Sequence, residues 1–173
     1  AFNGSDRKKK SNGAGFGKVV ILPFVCGVLG ATITVGACIN VPSIKQAFLE
    51  KKKVSVVSEN YSTGGQTCYQ DGYLFDMRHL KNILDFDQEN KTITVEPGIT
   101  WTELILFLNN YGLTPMILQK YSNFSVGGSI STNAHGINND NVIAHSVLEI
   151  KYINKKGQDC CCSATFNNDM FKL

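Results

Sequence analysis

Two short stretches of the sequence combine glycine with small polar side chains that could bind a ligand. The first reads SENYSTGGQ over residues 58–66, and the second reads SVGGSISTNAHG over residues 125–136. Glycine lets the backbone approach a ligand closely, and successive backbone N–H groups in such loops can form an anion-binding nest. Since neither stretch contains the lysine of a P-loop, the ligand that fits is a diphosphate held by backbone and hydroxyl groups, as in a dinucleotide cofactor. Ordinary glycine turns are the alternative.

A third glycine-rich stretch, GAGFGK over residues 13–18, fails both phosphate-binding patterns. The P-loop pattern needs glycine where Asn12 stands and a hydroxyl residue where Val19 stands, and the dinucleotide fingerprint needs glycine in place of Lys18. No predicted strand precedes it. We interpret residues 1–17 as a disordered basic tail.

Composition narrows the class of protein. The chain of 173 residues is 43% hydrophobic and 18% charged, which is typical of a globular domain. A net charge of +3, with no aromatic residues interleaved among the basic runs, does not indicate a nucleic-acid partner. The six cysteines have no zinc-binding spacing, which predicts free or buried thiols and no metal site.

Residues 19–39 form an uncharged apolar run, VVILPFVCGVLGATITVGACI. Its length would span a bilayer as a helix, so we predict a membrane segment or signal anchor over residues 18–40 and a membrane-anchored protein, with the side of the membrane unassigned. A cleaved signal peptide, a lipid anchor at Cys38 and a buried element of the fold are the alternatives.

From Pro42 onward the pattern predicts an α+β domain over residues 41–173. Apolar spacing and capping signals predict a short helix after Ser43 and a longer helix after Thr100, with Glu103 completing a capping box and Gly112 ending the helix. Alternation of apolar and polar residues predicts strands and hairpins over residues 53–57, 73–77, 83–97, 114–119 and 147–163.

Several segments, in order, resemble one known family. VSVVSENYSTGGQ, GYLFDMRHLKNIL, TITVEPGITWTELILFLNNYGL and YSNFSVGGSISTNAHG are similar to successive motifs of the PCMH-type FAD-binding domain of the vanillyl-alcohol oxidase superfamily, and VLEIKYINKKGQ and FNNDMF resemble the hairpin and the helix start that come next in that domain. The resemblance covers about three quarters of the chain. It implies a fold of two α/β subdomains, here incomplete and preceded by the apolar segment.

The resemblance also implies where FAD would bind. The second stretch would contact the FAD diphosphate and one side of the isoalloxazine, the first would hold the diphosphate from the other side, and two further residues would close the pocket wall. The implied residues are Gly127, Gly128, Ser131, Thr132, Asn133, His135 and Gly136; Ser58, Glu59, Asn60, Tyr61, Ser62, Thr63 and Gly64; and Pro97 and Gly98. For His135, a purely structural role is the alternative.

The first stretch departs from the family pattern "GxxHSxGGQ" at two positions. Tyr61 stands where many members have a histidine bonded covalently to the flavin, so we expect FAD to be bound non-covalently. Ser58 stands where the pattern has glycine, and a positive φ there would cost serine about 1 kcal/mol or more.

The resemblance implies an FAD-dependent oxidoreductase that oxidises a C–OH group of a sugar, alditol or aldonolactone, a small-molecule substrate. Because the second half of the FAD domain and the substrate domain do not appear in the sequence, we expect this chain to be a fragment that supplies the FAD-binding part, and no catalytic residue is assigned. The alternatives are an inactive flavin-binding remnant and, on a poorer motif fit, a UDP-N-acetylenolpyruvoylglucosamine reductase.

Overall fold

The computed structural model of the chain describes residues 26–27, 46–47, 49–62, 64–65, 67, 70–137, 140–154 and 158–171. Strands and helices are both present, which confirms the predicted α+β class. The elements in chain order are β1 Cys26–Gly27, β2 Val54–Val57, β3 Tyr73–Asp76, β4 Ile83–Asp87, β5 Thr92–Val95, α1 Trp101–Asn109, α2 Val126–Ser131, a 3-10 helix Ile143–Ser146, β6 Glu149–Ile153, β7 Asp159–Ser163 and α3 Asn168–Phe171. Gln46, Ala47 and Leu49 are also helical, within the predicted short helix, whereas Ser43 lies outside the described residues.

The described strands form three small sheets. Strands β1, β5 and β4 form one sheet with β5 at its centre, and both of its pairings are antiparallel. Strands β2 and β3 pair in parallel, while β6 and β7 form an antiparallel hairpin. The parallel pair matters most for function, because parallel strands bring their carboxyl ends to the same edge, where α/β folds usually bind ligands.

Helix α1 begins at the capping box predicted from the sequence. The Thr100 hydroxyl accepts from the Glu103 backbone N–H at 3.2 Å, and the Glu103 carboxylate accepts from the Thr100 N–H at 2.8 Å. Hydrogen bonds from Thr100 and Lys81 to that carboxylate keep the pKa of Glu103 below its ordinary value even though burial opposes the shift. The helix ends before Gly112, which has a φ of +67° that glycine adopts without strain.

The hydrophobic core lies between α1, β5 and the segment that follows α1. Trp101, Leu104 and Leu108 face inward from α1, and Ile93 and Val95 face inward from β5. All four residues of β5 are buried, as expected of a central strand. The core therefore fixes the ends of β5 and α1, which both lead to the candidate site.

Two predictions about local structure were wrong. Residues 114–119 do not form a strand, and the glycine-rich stretch read as a loop contains helix α2. The helix forms because Ser125 caps it, its hydroxyl accepting from the Gly128 N–H at 3.2 Å, while Val126 and Ile130 bury their side chains. The apolar spacing of Val126 and Ile130 is helical, but the two glycines and the serine between them obscure it.

The apolar run 19–39 mostly lies outside the described residues. Its described part, Cys26–Gly27, is a strand paired with Ile93 and Thr92, rather than a helix. In the part of the chain that the structure describes, no helix is long and apolar enough to cross a membrane. The predicted transmembrane helix thus has no support, and the observed strand matches the alternative that this run is an element of the fold.

Candidate functional site

A cleft opens at the carboxyl ends of the parallel strands β2 and β3. The first glycine-rich stretch leaves the end of β2 at Ser58, and Met77 follows the end of β3. Pro97, shortly after β5, and helix α2 form the opposite side of the cleft. The cleft has a volume of about 360 Å³, within the usual range for small-molecule sites.

Residues of both predicted stretches line this cleft, together with apolar side chains from neighbouring segments. The lining residues are Val56, Val57, Ser58, Glu59, Asn60, Tyr61, Ser62, Thr67, Met77, Pro97, Gln119, Phe124, Ser125, Gly127, Gly128, Ser129, Ser131 and Thr132. None of these described lining residues is a lysine or arginine. Any anionic group bound here would therefore be held by backbone N–H groups and hydroxyls, as the sequence predicted.

The first stretch offers unused hydrogen-bond donors to the cleft. The Ser58 hydroxyl is buried and has no hydrogen-bond partner. A buried hydroxyl without a partner costs free energy, so a ligand oxygen in the cleft would relieve that cost. Among the described residues, no hydrogen bond involves a backbone N–H group of residues 58–62. These groups are the donors expected for a diphosphate.

The predicted backbone strain at Ser58 does not occur. The residue with a left-handed backbone in this stretch is Asn60, with a φ of +55°, whereas Ser58 is not among the described residues with positive φ. Asparagine tolerates this conformation far better than most residues do. The stretch therefore turns two residues later than the glycine of the family pattern suggested.

The second stretch contributes a surface rather than backbone donors. The N–H of Val126 donates to Ile99 O at 2.8 Å, the N–H of Gly127 to Pro97 O at 2.9 Å, and the N–H of Gly128 to the Ser125 hydroxyl. These three N–H groups already have acceptors within the protein, so they would not take part in an anion-binding nest in this conformation. Gly127 and Gly128 instead let a ligand lie close to the helix backbone.

An aromatic contact joins the two sides of the cleft. The Tyr61 ring meets the Phe124 ring edge to face, with centroids 4.5 Å apart. Tyr121 contacts the other side of Phe124 at 5.8 Å. Tyr61 and Tyr121 are both more than half exposed. Both Tyr61 and Phe124 line the cleft, so the exposed Tyr61 side chain is available to a ligand there.

The charges at the edge of the cleft are largely paired. Hydrogen bonds from Arg78 hold the pKa of the Asp76 carboxyl far below its usual range. The pKa of Arg78 is raised, first by that carboxylate and to a smaller extent by Glu59. Lys81 is likewise paired with Glu103 at 2.9 Å, and Glu59 adds to the raised pKa of Lys81.

Several predicted site residues lie outside the cleft lining. Gly98 packs behind the wall, where an added Cβ would overlap the Met77 carbonyl oxygen and lie 2.8 Å from Leu80 O. The Asn133 side chain accepts from the Ala144 N–H at 3.3 Å. His135 is exposed, with its Nδ1 3.1 Å from Gly136 O, and the Gly136 N–H donates to Asn141 O.

Asn133 and Gly136 thus connect the stretch after α2 to Ala144 and Asn141, and His135 forms an isolated antiparallel bridge with Val142. Gly64 is exposed and does not line the cleft. Thr63, also predicted to bind the cofactor, lies outside the described residues.

Sequence reasoning missed eight residues that line the cleft beside the predicted ones, among them Val56 and Val57 of β2 and Thr67. Ser125 and Ser129 belong to the quoted stretch but were not selected, and helical spacing from Ser125 would have indicated Ser129. Gln119 and Phe124 precede the stretch, and Met77 follows a predicted strand. No single-residue pattern distinguishes Gln119 or Phe124, because only the folded segment brings them to the cleft.

Sequence comparison shows which protein family this chain resembles. The sequence model of the family described as "FAD binding domain" matches residues 29–162, well over half of the chain. The chain belongs to this FAD binding domain family. FAD is accordingly its cofactor, as the resemblance implied. The matched range begins at residue 29, within the apolar run.

Curated relatives of this FAD binding domain are much longer proteins. L-gulonolactone oxidase of Mus musculus is 33% identical over 125 residues, which is 71% of this chain and 28% of that protein. D-arabinono-1,4-lactone oxidase of Candida glabrata is 25% identical over 134 residues, 75% of this chain and 25% of that protein. The chain thus spans about a quarter of the length of the relatives it matches.

Solved structures show the same fold. Carbohydrate oxidase from Microdochium nivale superposes with a TM-score of 0.62 at 20% identity, over 82% of this chain and 30% of that one. Aclacinomycin oxidoreductase gives a TM-score of 0.65 at 17% identity, over 83% and 32%. The predicted PCMH-type fold, incomplete in this chain, is therefore confirmed.

The residues present fit the cofactor. FAD carries an anionic diphosphate together with two ring systems, and the cleft offers unused N–H groups and the unpartnered Ser58 hydroxyl beside apolar surfaces from Val56, Met77 and Phe124. These unpartnered donors all belong to the first stretch, at residues 58–62.

Proposed function

We propose that this chain is the FAD-binding part of an oxidoreductase that oxidises a C–OH group of a sugar, alditol or aldonolactone. The observation that carries the proposal is the joining of both glycine-rich stretches in one cleft at the carboxyl ends of β2 and β3, in a chain of the FAD binding domain family. Two curated relatives, named as oxidases of L-gulonolactone and D-arabinono-1,4-lactone, support the substrate class.

Bound FAD would accept the hydride that leaves the substrate carbon. The part of the protein in this chain binds and orients that cofactor. Backbone N–H groups of residues 58–62 and the Ser58 hydroxyl would hold the diphosphate, while Gly127 and Gly128 would allow close approach of the cofactor to α2. Ser131 and Thr132 extend this surface along the cleft. No catalytic base is assigned to this chain.

We further propose that the cofactor is bound without a covalent link. Tyr61 occupies the position at which the family pattern has a flavin-linked histidine, and its ring contacts Phe124. Acid precipitation should leave the flavin fluorescence in the supernatant. Flavin fluorescence that stays with the precipitated protein would contradict this part of the proposal.

The activity is tested on the longest natural form of the protein that contains this chain. Purified with FAD, it should reduce an artificial electron acceptor when L-gulono-1,4-lactone or a related aldonolactone is added. A flavin spectrum that stays oxidised with every lactone, sugar and alditol supplied would argue against the oxidoreductase. Complete failure to bind FAD would instead favour the alternative of an inactive remnant.

Membrane anchoring through residues 19–39, with secretion or lipid anchoring as alternatives, stays a prediction of the sequence. The pairing of Cys26–Gly27 with β5 supports the view that this run belongs to the FAD-binding fold. Removal of residues 1–28 separates the two interpretations, because each predicts a different effect on stability and on the membrane fraction.

A further inference from the structure

A chain of three hydrogen-bonding side chains leads from the core to the wall of the cleft. Trp101, buried in α1, donates its indole N–H to the Ser129 hydroxyl at 2.8 Å. That hydroxyl in turn donates to the carboxamide oxygen of Gln119 and shares its proton with Ser125 O at 3.0 Å. Ser129 and Gln119 both line the cleft, whereas Trp101 lies behind it. The cleft wall is therefore connected to the most rigid part of the fold.

In the structure, the carboxamide oxygen of Gln119 accepts from the Ser129 hydroxyl. An indole N–H can only donate, so the Ser129 oxygen accepts from Trp101, and its proton is divided between the Gln119 oxygen and Ser125 O. The amide nitrogen of Gln119 is on the other side of the carboxamide, and no hydrogen bond among the described residues uses its two protons. Gln119 thus has a donor group available where it lines the cleft.

We propose that Gln119 is a cofactor-positioning residue whose amide N–H donates a hydrogen bond to an acceptor oxygen of FAD. The proposal rests on the proposed function, because it takes FAD as the occupant of the cleft. A donor held in place by Ser129 and Trp101 loses little conformational freedom when the ligand arrives, and such preorganisation increases affinity. Ser58 lines the same cleft, so its hydroxyl and the Gln119 amide would both donate to one ligand.

The variant that tests this inference is Gln119→Glu. Glutamate keeps a side-chain oxygen that can accept from Ser129, but it replaces the donor with a negatively charged oxygen facing an acceptor. We expect the dissociation constant for FAD, measured by calorimetry on the longest natural form of the protein that contains this chain, to rise at least about tenfold. Gln70→Glu, an exposed position away from the cleft, makes the same charge change and should bind FAD like the wild type.

Trp101 fluorescence distinguishes a lost contact from a damaged fold. In Gln119→Glu without FAD, the emission of Trp101 and the urea midpoint should match the wild type, because the acceptor for Ser129 is kept. If this variant unfolds at lower urea, Gln119→Leu takes its place; it lacks the donor without adding charge and should weaken FAD binding about threefold to tenfold.

The outcomes separate this inference from the function on which it rests. Weakened FAD binding in the Gln119 variant, with unchanged binding in Gln70→Glu, supports the positioning role. Wild-type chain that binds FAD, with a Gln119 variant within twofold of it, overturns the role of Gln119 and leaves the proposed function intact. If the folded wild-type protein, in the longest natural form that contains this chain, binds no FAD, both are overturned.

Discussion

At the scale of single residues, the cleft depends on positions where the packing leaves no space for a larger side chain. Gly98 is the clearest case, because its backbone N–H donates to Leu80 O at 2.8 Å and its Cα lies against the Met77 carbonyl. Met77 itself lines the cleft. Gly98 was predicted to form the pocket wall, and the structure places it one layer behind, where it allows β3 and β5 to come together.

Gly98→Ala should therefore lower the free energy of unfolding by at least about 3 kcal/mol, because the added methyl group overlaps backbone atoms that cannot rotate away. The measurement is urea unfolding followed by Trp101 fluorescence. Gly65→Ala is the matched control: its methyl group meets nothing within 4 Å, so only its φ of +69° opposes the change, at about 1 kcal/mol. Equal effects of the two substitutions would contradict the packing role of Gly98.

The side chain of Cys162 is also tightly packed, because it is buried in the core. Burial raises its pKa to about 11, and Cys162 is almost fully inaccessible. Its folded-state pKa lies above the ordinary value, so this group favours the folded state below pH 9 and loses that contribution as the pH rises toward 11.

At pH 8, mass spectrometry after brief iodoacetamide treatment should find label on Cys160 and Cys161 well before Cys162. Both neighbours are partly exposed, and the thiolate is the reactive form. Labelling of Cys162 as fast as its neighbours would show that β7 is not packed as described.

At the scale of elements, the start of α1 and the start of α2 stabilise one another. The backbone N–H of Trp101 donates to Phe124 O at 3.1 Å, and the backbone N–H of Thr102 donates to Ser122 O at 2.8 Å. The Thr100 capping box therefore anchors the segment that carries the second glycine-rich stretch. The sequence predicted this capping box because its two residues are local, whereas the contact with residues 122–124 is long-range and carries no local signal.

Thr100→Ala should reduce the free energy of unfolding by about 1 kcal/mol through loss of the cap. It should also weaken FAD binding by loosening the segment before α2. Urea unfolding and calorimetric titration with FAD measure the two effects. Thr114→Ala, at an exposed threonine outside the described helices, serves as the control and should change neither. A Thr100 variant as stable as this control would contradict the capping role.

Strand β1 decides between the two interpretations of the apolar run. Because Cys26–Gly27 pairs with the edge of the buried strand β5, removal of residues 1–28 should expose that edge. We expect a lower midpoint of thermal unfolding and increased aggregation. If residues 19–39 instead cross a membrane, the truncated chain should leave the membrane fraction with an unchanged midpoint.

At the scale of the whole molecule, the sequence predicted the class, the order of most elements and the family, because these depend on local periodicity and motif order. Ser58, Asn60 and Gly127, which the sequence assigned to one site, lie together in the cleft. The sequence did not reveal which groups have free hydrogen-bonding capacity: backbone N–H groups at the start of α2 donate within the protein, whereas those of residues 58–62 have no acceptor among the described residues. That distinction depends on tertiary contacts between residues 97–99 and 126–127, which no local pattern encodes.

The most direct test of the account is calorimetric titration with FAD of the folded longest natural form that contains this chain, beside its variant Ser131→Phe. Ser131 is exposed and lines the cleft, so a phenylalanine should occupy the cleft without disturbing the core. Ala164→Phe, at an exposed position just after β7 and away from the cleft, is the control. The account predicts FAD binding by the wild type and by the control, with binding lost in Ser131→Phe at an unchanged urea midpoint. A wild-type chain that is folded but does not bind FAD, or a Ser131 variant that binds it equally well, would contradict the assignment of this cleft.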